Sequence, residues 1–160
     1  MRAMVLACLL VMACGRGSPG GPRDAGARLE AAAQASGLVA DPSGPLIGVW
    51  SRETDRVCIV PSAKGAARIG ALVDYGEGQT CAGSGTLTRS GAKVTVQLGD
   101  CRIAARFDGE RLTFPAEVPI ACERLCRGRA SFASLSVSRQ SESASEAATL
   151  RRPSGTRLCA

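Results

Sequence analysis

Cys58, Cys81, Cys101, Cys122, Cys126 and Cys159 are the residues of this chain best suited to covalent chemistry. Two of them form a C-x₃-C, Cys122-Glu123-Arg124-Leu125-Cys126, which on one reading is half of a Cys₄ zinc site or a redox pair. Zinc knuckles usually come in tight pairs and redox dithiols as C-x-x-C, whereas the other cysteines here are scattered singly. Structural disulfides are therefore expected, with no metal and no catalytic thiol. Histidine is absent from all 160 residues, which excludes a His base, a Ser-His or Cys-His dyad and a His-ligated metal. The segment Asp74-Tyr75-Gly76-Glu77-Gly78-Gln79 carries two carboxylates that suit Ca²⁺. It lacks the further oxygens of a complete binding loop, so a solvated hairpin tip is expected. Asp100, Asp108 and Glu110 flank turns, and a glycosidase pair would need a separation that sequence alone does not fix. No enzyme activity is expected.

Basic residues number 20 against 14 acidic, a formal charge of +6, and all but Lys64 and Lys93 are arginine. Arg124, Arg127 and Arg129 cluster beside the C-x₃-C, and Arg102 and Arg106 share a strand face. Such patches suit anionic lipid headgroups, lipopolysaccharide or peptidoglycan carboxylates, unless they are simply a solvated surface. Aromatics are only 3% of the chain, too few for base stacking, and no nucleic-acid partner is expected.

At the amino end, Met1-Arg2 is followed by an apolar run from Ala3 to Ala13. That is well short of the ~20 residues a membrane-spanning helix needs, and has the length of a signal-peptide h-region. The run closes on Val11-Met12-Ala13-Cys14, which resembles the lipobox of bacterial lipoprotein signal peptides. The resemblance implies cleavage before Cys14, a diacylglycerol on its thiol and an acyl chain on its new amino group, and no other cofactor. Because no Asp follows Cys14, it also implies anchoring at the periplasmic face of the outer membrane. The alternative is an ordinary secretory signal cut near Ala13, leaving Cys14 as a spare thiol. Cys8 is a poor acceptor, because the h-region before it would fall below the usual ~7–15 residues. Cysteine counting agrees: Cys8 leaves with the signal, Cys14 takes lipid, and the remaining six make three disulfides in an oxidising compartment. The pairing expected is Cys81 with Cys101, Cys58 with Cys122, and Cys126 with Cys159.

The elements that would position these residues follow from patterning. Residues 1–13 read as signal peptide and 14–22 as a Gly/Pro/Ser tether. Residues 23–45 read as a short helix and linker, with Asp24 as N-cap and Gly37 at C′. From Leu46 the period becomes two. Alternation predicts strands at Leu46–Arg52, Arg56–Val60, Ile69–Tyr75, Thr80–Arg89, Val94–Leu98, Cys101–Phe107 and Arg111–Phe114. Asp108-Gly109 marks the clearest hairpin. Ala130–Val137 reads as a closing strand or a helical turn, and Ser143–Arg152 as a helix opened by a Ser143/Glu146 capping box.

Together these predict a mainly β fold at 46–160: a small antiparallel barrel or sandwich with a short N-terminal and a C-terminal helix, stapled by disulfides. Gly48-Val49-Trp50 resembles the Gly-x-Trp opening of lipocalin-like barrels, and more distantly that of small secreted protease-inhibitor barrels. No ligand or inhibitory residue carries over from so short a match. The expected function is a monomeric, non-catalytic cell-envelope lipoprotein, a binding module whose ligand is not specified: an envelope polymer, a protein or an apolar ligand. The alternative is a hydrolase inhibitor, and a carboxylate hydrolase comes last. A cavity lined by Trp50, Tyr75 and Phe107 would favour ligand binding, and a filled barrel with a projecting amino-terminal segment would favour inhibition.

Overall fold

The computed structural model describes residues 22–37, 40–63 and 65–159. The segment expected to be a signal peptide, with Cys8, Cys14 and all of the expected tether except Pro22, lies outside the described residues. The chain divides between Val39 and Ala40 into two units. The first contains α1, Pro22–Ala35, so Pro22 opens a helix rather than ending a tether. Proline suits a first helical position because its missing N–H would have no partner there. Asp24 sits in the first turn, not at the cap, and Gly37 turns left-handed (φ 69°), donating its N–H to Gln34 O as a C′ glycine does. Leu29 is exposed on this helix.

In the second unit eight antiparallel strands close into a barrel in simple sequence order. They are β1 Gly48–Arg52, β2 Asp55–Val60, β3 Ala67–Asp74, β4 Thr80–Ser90, β5 Lys93–Leu98, β6 Cys101–Phe107, β7 Arg111–Thr113 and β8 Ser136–Ser141. Alternation decides what faces in. Cys101, Ile103, Ala105 and Phe107 of β6 are buried while Arg102, Ala104 and Arg106 between them are exposed. Val94, Val96 and Leu98 of β5, and Ile69, Ala71 and Val73 of β3, do the same work. Tyr75, expected on that same face, falls beyond the end of β3 and is exposed.

The closing strand is β8, which starts where the expected Ala130–Val137 strand was to end. Ser136-Val137-Ser138-Arg139-Gln140-Ser141 hides its alternation because one inward position holds an arginine. Where β8 meets β1 the register shifts between Val49 and Trp50. Gly48 (φ 135°) lies so close to the Ser141 carbonyl that any Cβ would collide with it. The glycine of Gly-Val-Trp is thus required by barrel closure.

The β7–β8 connection, with α2 at Ile120–Glu123, contributes Phe114, Cys122, Phe132 and Leu135 to the core. In this up-and-down order, that connection lies at the end of the barrel where β4 and β6 begin. Cys81–Cys126 and Cys101–Cys122 fasten it there. On the outside, α3 (Ala144–Thr149) and the following tail cover β2 and β3. Ala147, Leu158 and Cys159 pack there with Cys58, Val60 and Leu72, and Cys58–Cys159 pins the tail. Gly70 has no side chain because the Leu158 carbonyl occupies that space. Ser143 caps α3 by accepting the Glu146 N–H at 3.2 Å, but its own N–H donates to Ser141 Oγ, so the return half of the expected capping box is replaced, and the helix stops at Thr149.

All six body cysteines are paired, but the expected pairing is wrong in every bond. Cys81 and Cys101 both point inward, yet β5 separates their strands, and each bonds the plugging loop instead. Cys58 lies between inward Val57 and Ile59 and so points outward, away from Cys122 and onto the tail. A link over 101 residues contributes about 4–5 kcal/mol by loop-closure entropy, and the shorter two about 3–4 kcal/mol each. These are large beside a net stability of ~5–15 kcal/mol. Reductant is expected to lower the melting temperature by more than about 10 °C. An unchanged melting curve in scanning calorimetry would contradict this role.

Candidate functional site: a filled lumen and an arginine-lined groove

The lumen is packed. Trp50 is fully buried, with its ring edge-on to Phe107 at a centroid distance of 5.6 Å and an interplanar angle of 89°. Its indole N–H donates to Leu46 O at 3.0 Å, satisfying the one polar atom of the ring. The inward side chain of Arg139 lies 4.6 Å from the Trp50 ring centre and 5.9 Å from that of Phe107. Glu142 pairs with Arg139 at 2.9 Å. Arg89 approaches Phe107 to 5.1 Å and donates to Gly44 O and Pro42 O, tying the segment that leads into β1 to β4. Two guanidiniums thus close this end through cation–π contact, where an apolar side chain would have met water. Phe114 and Phe132, 6.3 Å apart, fill the other end. Trp50, Tyr75 and Phe107 therefore line no common cavity: two are core and Tyr75 is on the surface.

The acidic candidates are occupied or apart. Asp100 and Asp108 stand at opposite ends of β6, about 25 Å along a strand at ~3.3 Å per residue. A glycosidase pair needs ~5–9.5 Å. Burial pushes the Asp108 carboxyl up, but N–H donation from Glu110 and Arg111 outweighs it and holds the group below its ordinary value. Asp74 accepts the Gly76 N–H at 2.9 Å within its own turn. Among the described residues no three His, Cys, Asp or Glu side chains gather as a metal site.

Cations, in contrast, are left available. Lys93 of β5 stands directly opposite Arg106 of β6, with Gln97 opposite Arg102, all on the outer face. Like charges in direct register repel. Among the described residues the single salt bridge is Arg139–Glu142. A second collection lies at the foot of β4. There Arg124, Arg127 and Arg152 line an open groove of about 420 Å³ with Thr80, Ala82, Leu125 and Ser154. Local structure holds this loop in place. Ala82 N–H donates to Leu125 O at 3.1 Å and Arg127 N–H to Thr80 O at 2.7 Å, flanking the Cys81–Cys126 bond. Arg129, expected in the same cluster, does not line the groove and instead donates its backbone N–H to Gln79 Oε1. Arg152, expected as the last residue of the Ser143–Arg152 helix, lies beyond α3 and donates to Ser84 Oγ. Sequence spacing could not bring Arg152 to Arg124, because their approach depends on docking of the tail, which Cys58–Cys159, the Ser84 bonds and the packing of Leu158 hold in place.

No protein-family model, curated protein or solved structure matches this chain.

Asp55, at the rim beside Arg52 and Tyr75, has its carboxyl pushed up, chiefly by burial, against an opposing hydrogen bond from the Asp74 N–H. A raised carboxyl value means the folded state favours the protonated form. That contribution is full below the ordinary value of 3.8 and is lost as pH rises through the folded value. Asp55→Asn keeps the acceptor oxygen without the charge. It should melt slightly above the parent at neutral pH, with the difference vanishing in acid. A lower melting temperature for the variant at neutral pH would overturn this assignment.

Proposed function

We infer that this protein is a non-catalytic lipoprotein of the bacterial cell envelope that binds its partner on the outside of a filled barrel. The packed lumen removes the interior cavity that would have favoured binding inside: with Trp50, Phe107, Phe114 and Phe132 buried there an apolar ligand has no room, so what supports this reading is the arginine-lined groove on the surface. The surface offers arginines in groups, without carboxylates among the residues that line the groove of Arg124, Arg127 and Arg152.

The address rests on the amino end. The lipobox-like Val11-Met12-Ala13-Cys14 ends an apolar run of h-region length. Three disulfides suit an oxidising compartment, and they use every body cysteine, leaving none to pair with Cys14. Lipid on that thiol resolves the odd count. More than one acyl chain would carry anchoring beyond the weak, reversible regime of a single chain. A filled barrel also suits the alternative, a hydrolase inhibitor, since such a protein works through its outer surface and loops.

Intact mass of the mature protein tests the reading. The expected species begins at Cys14, carries diacylglycerol and one further acyl chain, and gains six hydrogens on reduction. An unmodified Cys14, or free thiols in the body before reduction, would overturn it.

A further inference from the structure

We propose that the groove of Arg124, Arg127 and Arg152 is a binding site for a phosphomonoester. It deepens the surface-binding reading above by naming the chemistry recognised.

Three arginines from two distant chain segments line one groove, and no lining residue is acidic. Bringing them together is unfavourable unless an anion shares the space. Guanidinium forks match phosphate oxygens in pairs, and the two exposed forks of Arg124 and Arg127, with the added charge of Arg152, match a dianion better than a single carboxylate. Thr80 and Ser154 add hydroxyls to the lining. The groove is also built, not draped. The Cys81–Cys126 bond holds Arg124 and Arg127 against β4. Arg152 is held by its backbone, which donates to Thr156 O at 2.8 Å, and by Ser84, whose hydroxyl also donates to Leu158 O at 2.6 Å.

A second observation concerns Arg152 itself. Its Nε is shut away from solvent and has no hydrogen-bond partner, while its Nη2 is engaged by Ser84. An atom closed to water is closed to a phosphate oxygen as well, so this donor is not a ligand contact; it shows that Arg152 is seated against the groove wall and is half-buried there. The exposed cations of the β5–β6 face, Lys93, Arg102 and Arg106, lie on a strand surface and not around the groove, and serve as the comparison.

The test uses the mature protein in neutral detergent micelles, titrated calorimetrically with glycerol 3-phosphate, inorganic phosphate and acetate. Glycerol 3-phosphate should bind at least about tenfold more tightly than acetate. Arg124→Gln with Arg127→Gln, both exposed positions, should weaken it about tenfold or more with an unchanged melting temperature, and Arg152→Gln should weaken it likewise. Arg102→Gln with Arg106→Gln should leave it unchanged. Micelles doped with phosphatidic acid then separate the sources. Competition by the doped micelles stronger than that by inorganic phosphate assigns a lipid headgroup, and the reverse order assigns free phosphate. Equal binding of acetate, or phosphate binding that survives the Arg124/Arg127 double substitution, would overturn the site. Because Cys14 acylation is read separately by mass, failure here leaves the envelope reading standing.

Discussion

At the join of β1 and β8 two backbones must approach closely enough to pair, and the barrel exists as a closed object only because Gly48 lets them. Closure leaves no free sheet edge, and so no template for pairing with another chain. It also aims Arg139 of β8 across the lumen onto Trp50 of β1. The chain has little aromatic mass to fill such an interior. It uses one tryptophan and three phenylalanines in two pairs, one at each end, with β-branched and small residues between.

That thin interior explains where the covalent bonds fall. Two disulfides hold the β7–β8 connection as a plug over one end, and the third holds the carboxyl-terminal tail on the outer face of β2 and β3. The first two protect the lumen. The third creates a second apolar cluster outside it and delivers Arg152 to the foot of β4. Stability and the candidate site therefore share the same fastenings.

Much of the barrel was legible from alternation, because period-two patterning reports faces directly in β5 and β6. Less was legible where a face carries an exception. The inward Arg139 disguised β8, and Tyr75 extended β3 by one apparent step. The cysteine count was readable but its pairing was not. The parity of Cys58, opposite to that of Val57 and Ile59, was the available signal that it faces away from the other inward cysteines. The continuous buried run Val57-Cys58-Ile59-Val60 was a second signal, since a strand apolar on both faces must be covered outside as well as in. Of the candidate groove, Arg124 and Arg127 could be read from spacing, while Arg152 depends on tail docking across the whole domain.

Trp50 is the only tryptophan, so its fluorescence reports on the lumen alone. Titrating the folded protein with a long-chain fatty acid while following that emission is the most direct test of a filled barrel with recognition outside. The account predicts blue-shifted emission that stays constant throughout. A saturable shift or quench would mean that the lumen admits a ligand, and would contradict it.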